Sequence, residues 1–137
     1  MNIILDEGAT MPTRAHKNDA GMDLHARETQ VVPAKESAKF DTGVHIDIPP
    51  GMVGFIKSKS GLNVKHDLIT DGVVDAGYTG SVVVKLYNLG GFDYKVDKGD
   101  KIAQLVILPC YIPDELTVVD RFKETDRGNN GFGSSGR

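Results

Sequence analysis

One acid and one aromatic ring stand close together in a glycine-rich stretch, residues 72–80. Asp75 follows an apolar pair, and Tyr78 stands between two glycines. Because glycine permits positive φ and close backbone approach, such a stretch can hold a carboxylate and a ring beside a flat ligand. Taken alone, however, the stretch is better explained as a β-hairpin with an ordinary turn aspartate.

Two further groups have the chemistry to bind phosphate. Lys59-Ser60-Gly61 offers a cation, a hydroxyl and accessible backbone N–H groups, which together can cradle phosphate oxygens. Near the C-terminus, the Arg127 guanidinium can grip a terminal phosphate in bidentate fashion, and the Phe132 ring can stack on a base. Each group by itself is weak evidence for phosphate binding, since such tripeptides are common and glycine-rich termini often have no function.

Composition excludes several other kinds of site. The four histidines lack the close spacing of a zinc motif, and Cys110, the single cysteine, is predicted to be a packed thiol. No phosphate-binding loop of the Walker type is present. A net charge of -3 argues against non-specific binding of nucleic acid or membrane surfaces. One cysteine and no bilayer-length apolar run predict a soluble, cytoplasmic protein, or one of the host-cell cytoplasm if the source is viral.

The elements that must position these groups are predicted to be strands. The 137 residues correspond to one domain, and Gly, Pro or Asp breaks the short apolar runs about every ten residues, which predicts an all-β barrel or sandwich. From residue 120 the hydrophobic pattern fades, so residues 121–137 are predicted to form a flexible C-terminal arm of the single domain 1–137. Strands or extended segments are predicted at residues 3–5, 22–26, 30–33, 38–43, 44–48, 52–56, 82–86, 92–96, 101–108, 112–113 and 116–119.

Three local features add detail to this framework. Pro49-Pro50-Gly51 favours a tight reversal, so residues 52–56 are expected to return antiparallel to the strand before them. Residues 63–66 are the one place where a short helix is expected, with Ser60 as its N-cap. Gln104 lies in an otherwise apolar strand, so its amide needs a hydrogen-bond partner.

Five short motifs follow one another along the chain. They are AGMDL at 20–24, KSGL at 59–62, GVVDAGYTG at 72–80, GDKIAQL at 99–105 and RGNNGFGSSG at 127–136. In order, content and separation they resemble the motifs of the homotrimeric dUTPase family over nearly the whole chain. The resemblance implies a jelly-roll-like β subunit with at most one short helix. It also implies a homotrimer with shared active sites, each closed by a C-terminal arm.

The same resemblance implies an activity. The family hydrolyses dUTP to dUMP and pyrophosphate by attack of water on the α-phosphorus, which limits uracil incorporation into DNA and supplies dUMP for thymidylate synthesis. Asp75 would be the catalytic residue that holds and activates the water, and Tyr78 would lie under the sugar and exclude a 2′-hydroxyl. Mg²⁺ would be held mainly by the triphosphate, with Asp23 near it through water.

The resemblance also implies the remaining substrate contacts. They are Ile69, Thr70, Gly72 and Val73 for uracil, Lys59, Ser60, Gly61 and Gln104 for the phosphate chain, Arg127 for the γ-phosphate, Phe132 for covering the base, and Gly133 and Ser134 as further substrate-binding residues.

The sequence departs from the family pattern at three positions and leaves two alternatives open. Lys59 replaces the usual arginine, so any pairing there is expected to be weaker or different, since lysine is a point charge. Asn130 and Ser135 replace a usual glycine and threonine of the arm. The alternatives are a dCTP deaminase-like enzyme of the same fold, and a dUTP-gated regulatory trimer that binds a protein partner.

Overall fold

The computed structural model describes residues 1–131, which contain eleven strands and one helix. The strands are β1 (Ile3–Leu5), β2 (Gly21–His25), β3 (Gln30–Val32), β4 (Ser37–Asp41), β5 (Val44–Ile46), β6 (Met52–Ser58), β7 (Leu68–Ile69), β8 (Asp71–Asp75), β9 (Val83–Asn88), β10 (Tyr94–Val96) and β11 (Lys101–Pro109). The helix α1 (Ser60–His66) lies between β6 and β7. It has only seven residues, and no helix in residues 1–131 is long and apolar enough to cross a membrane.

The strands form four antiparallel sheets around one core. The sheets have the orders β1-β5, β10-β3, β2-β11-β6-β8 and β4-β9-β7. Each sheet contributes to one cluster of buried side chains, for example through Ile46, Val32, Leu105 and Phe40. Alternating burial along β4 and β9 shows why these sequences form strands, because one face of each packs on the core and the other meets solvent. The predicted all-β, jelly-roll-like fold is confirmed.

The helix is where the sequence predicts it, but its start differs. Lys59 is the N-cap, with φ -75° and ψ 129°, and no side chain caps the first turn. Ser60 is already helical, so the prediction of Ser60 as N-cap is wrong. The helix ends at His66, and the C-cap Asp67 takes the left-handed conformation at φ 53°.

The turn before β6 forms as predicted, but the strands on its two sides belong to different sheets. Met52 N donates to Pro49 O at 3.2 Å, and Gly51 has the positive φ that this turn needs. However, β5 pairs with β1, whereas β6 pairs with β11 and β8. The predicted antiparallel return is therefore wrong. A central position, with neighbours on both edges, agrees with the burial of β6, in which only Lys57 is exposed.

Residues 72–80 also cross between sheets. β8 pairs with β6, while the following strand β9 pairs with β4 and β7. The stretch is therefore not the hairpin that its sequence suggests.

Beyond β11, residues 110–131 form no strand, and apolar side chains such as Leu116 and Val118 are 85% and 98% exposed. The extended segment predicted at 112–119 finds no packing partner within the subunit.

Candidate functional site

A cavity of about 210 Å³ opens where β8 ends and the chain turns toward β9. Val73, Asp75 and Tyr78, all predicted from sequence as site residues, lie in its wall. The full lining is Ile56, Val73, Val74, Asp75, Tyr78, Ser81 and Val83. The cavity thus combines apolar strand residues with a carboxylate, a phenol and a hydroxyl from the turn. Pockets that enclose a whole ligand are usually larger, at roughly 300–1,000 Å³.

The turn after β8 sets the position of the ring relative to the carboxylate. Tyr78 N donates to Asp75 O at 3.2 Å, which closes the turn. Gly77 has φ 83°, a conformation that L side chains rarely adopt, so glycine is required there. The Asp75 side chain is exposed at the cavity mouth and is free to meet a ligand or water.

The Tyr78 ring folds back over Gly80. Its hydroxyl donates to Ser81 O at 3.1 Å. A Cβ added to Gly80 would lie 2.3 Å from the tyrosine oxygen and 2.5 Å from Cζ, so the ring occupies the space that only glycine leaves open. The two glycines therefore have separate functions: Gly77 permits the turn and Gly80 admits the ring.

Ser81 is a cavity residue that the sequence did not reveal. Its hydroxyl donates to Asp41 Oδ1, which also accepts from Gly43 N at 3.0 Å. The hydrogen bond from Ser81, followed by that from Gly43, lowers the pKa of Asp41 below its ordinary value. Ile56, Val74 and Val83 were missed as well, because their place in the wall follows from sheet pairing and the sequence shows them only as strand residues.

A second polar cluster lies at the edge formed by β2 and β11. The Asp23 carboxylate is buried, with Lys59 Nζ on one oxygen and Lys101 Nζ at 2.7 Å from the other. Burial alone would raise the pKa of Asp23, but the hydrogen bonds from Lys101 and Lys59 outweigh it, and the pKa is lowered. Lys59 therefore has a carboxylate partner.

Gln104 finds the partner that its position requires. Its Nε2 donates to Ser58 O at 3.1 Å, across from β11 to β6. The neighbouring strand leaves room for the amide because position 21 is glycine, where a Cβ would lie 2.3 Å from Gln104 Oε1. Gln104 is thus held close to the start of the Lys59-Ser60-Gly61 segment.

The structure does not bring the phosphate-binding candidates to Asp75 within one subunit. Asp75 lies opposite Val53 near the start of β6, whereas Lys59 follows the other end of that strand. Lys59 lies six positions after Val53, which at about 3.3 Å per residue corresponds to roughly 20 Å along the strand direction. Asp75 and Lys59 therefore belong to two separate regions of the subunit surface.

The predicted uracil segment joins two sheets and is not a hairpin. Ile69 pairs with Tyr87 in β9, whereas Val73 pairs with Phe55 in β6. Between them Thr70 is buried, and its N–H and C=O both bond to the Ser58 hydroxyl at 2.9 and 3.0 Å. Gly72 lies beside Val73 in β8, which is an edge strand of its sheet. Alternate backbone groups of β8 consequently point away from β6 without a strand partner.

The described part of the arm, residues 121–131, stays apart from the cavity. Arg127 is exposed, and its Nε donates to Asn130 O at 3.1 Å. No residue of 110–131 lines the Asp75 cavity. Phe132, Gly133 and Ser134 lie outside the described residues.

The described residues do not form a protein cage for a metal. No group of three or more His, Cys, Asp or Glu side chains in residues 1–131 could hold a metal ion. Both oxygens of Asp23 are engaged by lysines. This donor set is consistent with a metal ion that arrives on the phosphates of a ligand.

Fold and cavity together define a small all-β protein that presents a carboxylate and a ring to a ligand beside an edge strand. The dUTPase family model matches residues 7–136, and the chain belongs to that family. The deoxyuridine 5'-triphosphate nucleotidohydrolase of Clostridium acetobutylicum is 40% identical over 135 residues, covering 96% of this chain and 92% of the relative.

Two solved structures from phages of the family are similar over most of their length. The Staphylococcus bacteriophage 80alpha dUTPase with dUPNHPP has a TM-score of 0.89 and 36% identity, covering 99% of this chain and 98% of that one. It is described as a phage dUTPase that controls transfer of virulence genes by a G protein-like mechanism. A mutant dUTPase from phage phi11 of S. aureus has a TM-score of 0.84 and 34% identity over 90% of this chain and 98% of that one. It is described as showing the coordination of a structural Mg(II) ion.

Proposed function

We propose that this chain is a dUTP diphosphatase, which converts dUTP and water into dUMP and pyrophosphate. The observation that carries the proposal is the cavity in which the exposed Asp75 carboxylate and the Tyr78 ring meet beside an edge strand. Its volume suits a nucleoside better than a whole nucleoside triphosphate. Family membership and the activity for which a 40% identical relative is named support the same assignment.

The edge strand β8 is suited to reading a uracil base. Uracil carries adjacent donors and acceptors, and the unpaired N–H and C=O groups of an edge strand offer the complementary pattern. Gly72 lets a flat base approach the backbone closely, and Val73 packs in the cavity wall. Ile69 and the buried Thr70 fix the preceding strand, so their role is to hold β8 in place.

Tyr78 is placed to select the sugar. Its ring is held by the bond to Ser81 and by the absence of a side chain at Gly80. A ring fixed in this way packs against a deoxyribose and leaves no room for a 2′-hydroxyl. Because the barrier is steric, UTP should be excluded even where its base and phosphates are accepted.

Asp75 performs the acid–base part of the reaction. Its carboxylate orients a water molecule and accepts its proton while the water oxygen forms a bond to the α-phosphorus. The bond from the α-phosphorus to the bridging oxygen breaks, and pyrophosphate leaves with the electron pair. Cations must offset the charge of the triphosphate in this step, as Lys59 and Arg127 would do.

The phosphate-binding groups come from another copy of the chain. Lys59, Ser60, Gly61 and Gln104 are near the far end of β6, roughly 20 Å along the strand from the residue opposite Asp75. A single triphosphate held at Asp75 cannot use groups so placed in the same subunit. In the homotrimer implied by the family resemblance, a neighbouring subunit would supply these groups near Asp75. The arm of residues 121–137 would bring Arg127 and Phe132 over the ligand.

Magnesium would enter as part of the substrate. A Mg²⁺ ion bound to the triphosphate would neutralise charge on the phosphate oxygens and fix their geometry. Asp23 was predicted to lie near this ion through water. Its two lysine partners suggest instead that it mainly holds Lys59 in place.

A nucleotide panel tests the proposal. Purified protein with Mg²⁺ should release pyrophosphate from dUTP and far less from UTP, dTTP or dCTP. Asp75→Asn keeps the size of the side chain but cannot accept the proton, so it should bind dUPNHPP nearly as well as the parent and lose most turnover. Equal rates with UTP and dTTP, or full activity of Asp75→Asn, would contradict the assignment, and ammonia release from dCTP would establish the deaminase alternative.

A regulatory role is a second candidate because the 36% identical phage relative is described in those terms. The partner would be a protein whose binding to the trimer depends on whether the nucleotide is bound. Capture of one host protein from lysate only in the presence, or only in the absence, of dUPNHPP would support this role. Equal capture in both conditions would argue against nucleotide gating.

A further inference from the structure

His45 connects β5 to the turn that lines the cavity. Its Nδ1 lies 2.8 Å from the backbone oxygen of Thr79, and its Nε2 lies 3.2 Å from Asp6 Oδ1. A backbone carbonyl can only accept a hydrogen bond, and an ionised carboxylate likewise only accepts. Both contacts are therefore hydrogen bonds at once only when the ring carries two N–H groups, which is the imidazolium form.

The Asp6 carboxylate is also connected to the turn by a second series of hydrogen bonds. Arg27 Nη1 donates to Asp6 Oδ2 and its Nη2 donates to Asp41 Oδ2, both at 3.0 Å. Asp41 accepts the hydroxyl of Ser81 on its other oxygen. The hydrogen bonds thus link Thr79 to Ser81 through the side chains of His45, Asp6, Arg27 and Asp41. Together with the backbone through Gly80, they form a closed ring.

This ring holds the part of the turn that shapes the cavity. Ser81 lines the cavity, and its carbonyl oxygen accepts the Tyr78 hydroxyl at 3.1 Å. Thr79 and Ser81 flank Gly80, over which the Tyr78 side chain folds. Fixing both neighbours of Gly80 thus fixes the groups that support Tyr78.

We propose that His45 is a positioning residue for the nucleoside cavity, whose protonated ring ties Asp6 to the Thr79 carbonyl and so holds the turn that places Tyr78. The inference rests on the proposed function, because it concerns binding of the same nucleotide. His45 does not line the cavity itself and acts only through the turn.

The charges around His45 favour the protonated ring. Asp6 bonds to it, Asp41 is close by on β4, and Asp47 lines a small surface cavity together with His45 beside the sheet β1-β5. Arg27 is the opposing cation, but it is already paired with two carboxylates. The bond to the Thr79 carbonyl raises the pKa of His45 above its ordinary value of 6.5; desolvation opposes this rise, and the bond to Asp6 adds to it.

The sign of the pH effect follows from the raised pKa. A histidine whose pKa is higher in the ordered site than in the free chain stabilises that site at low pH, and the contribution is lost as the pH rises through the higher pKa. The turn should therefore be most ordered below the ordinary pKa of 6.5 and should loosen as the pH rises through the raised pKa of His45. The cavity would bind the nucleoside more weakly once His45 loses its proton.

Calorimetric binding of dUPNHPP to the full chain at about pH 6 and about pH 9 tests the proposal, since that range brackets histidine titration. His45→Leu removes both hydrogen bonds, while His45→Asn can still donate to Thr79 but does not titrate. His16→Gln is the matched control, since His16 also pairs with an aspartate but is highly exposed. The γ-phosphate of the ligand titrates as well, so only differences between variants count.

Between about pH 6 and about pH 9, the affinity of the parent and of His16→Gln for dUPNHPP should fall about fivefold more than the affinity of His45→Asn falls. A factor of about five is expected for the loss of one hydrogen bond. His45→Leu should bind about fivefold more weakly than the parent at about pH 6, with KM raised and kcat little changed. His45→Asn should restore part of the affinity and show no histidine-dependent change. A His45→Leu variant with the affinity and pH profile of the parent would overturn the proposal.

Nuclear magnetic resonance of the ligand-free protein separates this inference from the proposed function. The amide signals of Gly80 and Ser81 should shift with the titration of His45 in the parent and stay unshifted in His45→Leu. If dUPNHPP fails to bind the parent, the proposed function fails, and these amide titrations alone decide whether His45 orders the turn. Amides that do not follow His45 would refute the positioning role whatever the nucleotide does.

Discussion

Gly80→Ala places a methyl group in the space that the Tyr78 ring occupies. The added Cβ would lie 2.3 Å from the phenol oxygen and 2.5 Å from Cζ, closer than any real contact allows. Position 80 is not in the left-handed region, so the alanine backbone itself is unstrained. Tyr78 is 48% exposed and can swing toward solvent, so the ring moves and the fold is kept.

That movement costs Tyr78 its hydrogen bond and the place against the sugar that we propose for it. The bond to Ser81 O is worth about 1 kcal/mol net, which corresponds to about fivefold in KM for dUTP. A displaced ring also ceases to block a 2′-hydroxyl, so discrimination between dUTP and UTP should fall by roughly tenfold or more. The free energy of unfolding should fall by only about 1 kcal/mol.

A double-mutant cycle isolates the clash from other effects of the methyl group. Steady-state kinetics with dUTP and UTP would be measured for Gly80→Ala, Tyr78→Ala and the double variant. Without the ring there is nothing for the methyl to displace, so Gly80→Ala should add no further loss in the Tyr78→Ala background. Gly91→Ala is the matched control, because a Cβ there meets nothing within 4 Å. Parent-like discrimination in Gly80→Ala, or additive losses in the double variant, would refute the assigned role of the ring.

Other predictions concern the arm, the buried acid and the core. Removal of residues 127–137 should abolish most turnover while leaving the urea midpoint unchanged, and a fully active truncated protein would exclude the arm from the site. Asp23→Asn leaves two lysines without a counter-charge and should cost about 2 kcal/mol in urea unfolding at neutral pH. Because the pKa of Asp23 is lowered, its stabilisation is present above its ordinary 3.8 and is lost as pH falls below that, so the variant should show a weaker loss of stability in acid. Gly54→Ala would bring a methyl to 2.8 Å from Ile48 Cδ1 and should destabilise the fold by about 1–3 kcal/mol, whereas Gly91→Ala should not.

Nine of the eleven strands overlap a segment predicted from sequence, because their signals are local, whereas β7 and β8 were not among the predicted strands. β5 alternates apolar and polar residues, and β11 is a long apolar run that ends at proline. The sheet that each strand joins could not be predicted, because pairing depends on which distant strand has a complementary buried face. Pro49-Pro50-Gly51 therefore predicted the turn correctly and the pairing of β6 wrongly.

In the candidate site, too, residues with a local sequence signal could be predicted, whereas residues defined by contacts with distant parts of the chain could not. Asp75 and Tyr78 could be found because a short segment with the turn glycines carries both of them. Ser81 was missed because its importance lies in a bond to Asp41, forty residues away in the chain. His45 is similar, since nothing near it in the sequence points to Thr79 or Asp6.

The cluster around Asp23 shows how Lys59 would serve the proposed phosphate site in place of the arginine that the family resemblance implies. An arginine can pair with a carboxylate through one edge of its fork and keep further donors for phosphate, whereas a lysine presents one point charge. Paired with Asp23 alone, Lys59 would be neutralised and of little use to a polyanion. Lys101 binds the other oxygen of the same carboxylate, so two positive charges face one negative charge and a net charge of +1 is left. Because Asp23 is buried and keeps its negative charge, it also fixes the flexible stem of Lys59, which compensates for the rigid geometry that arginine would supply.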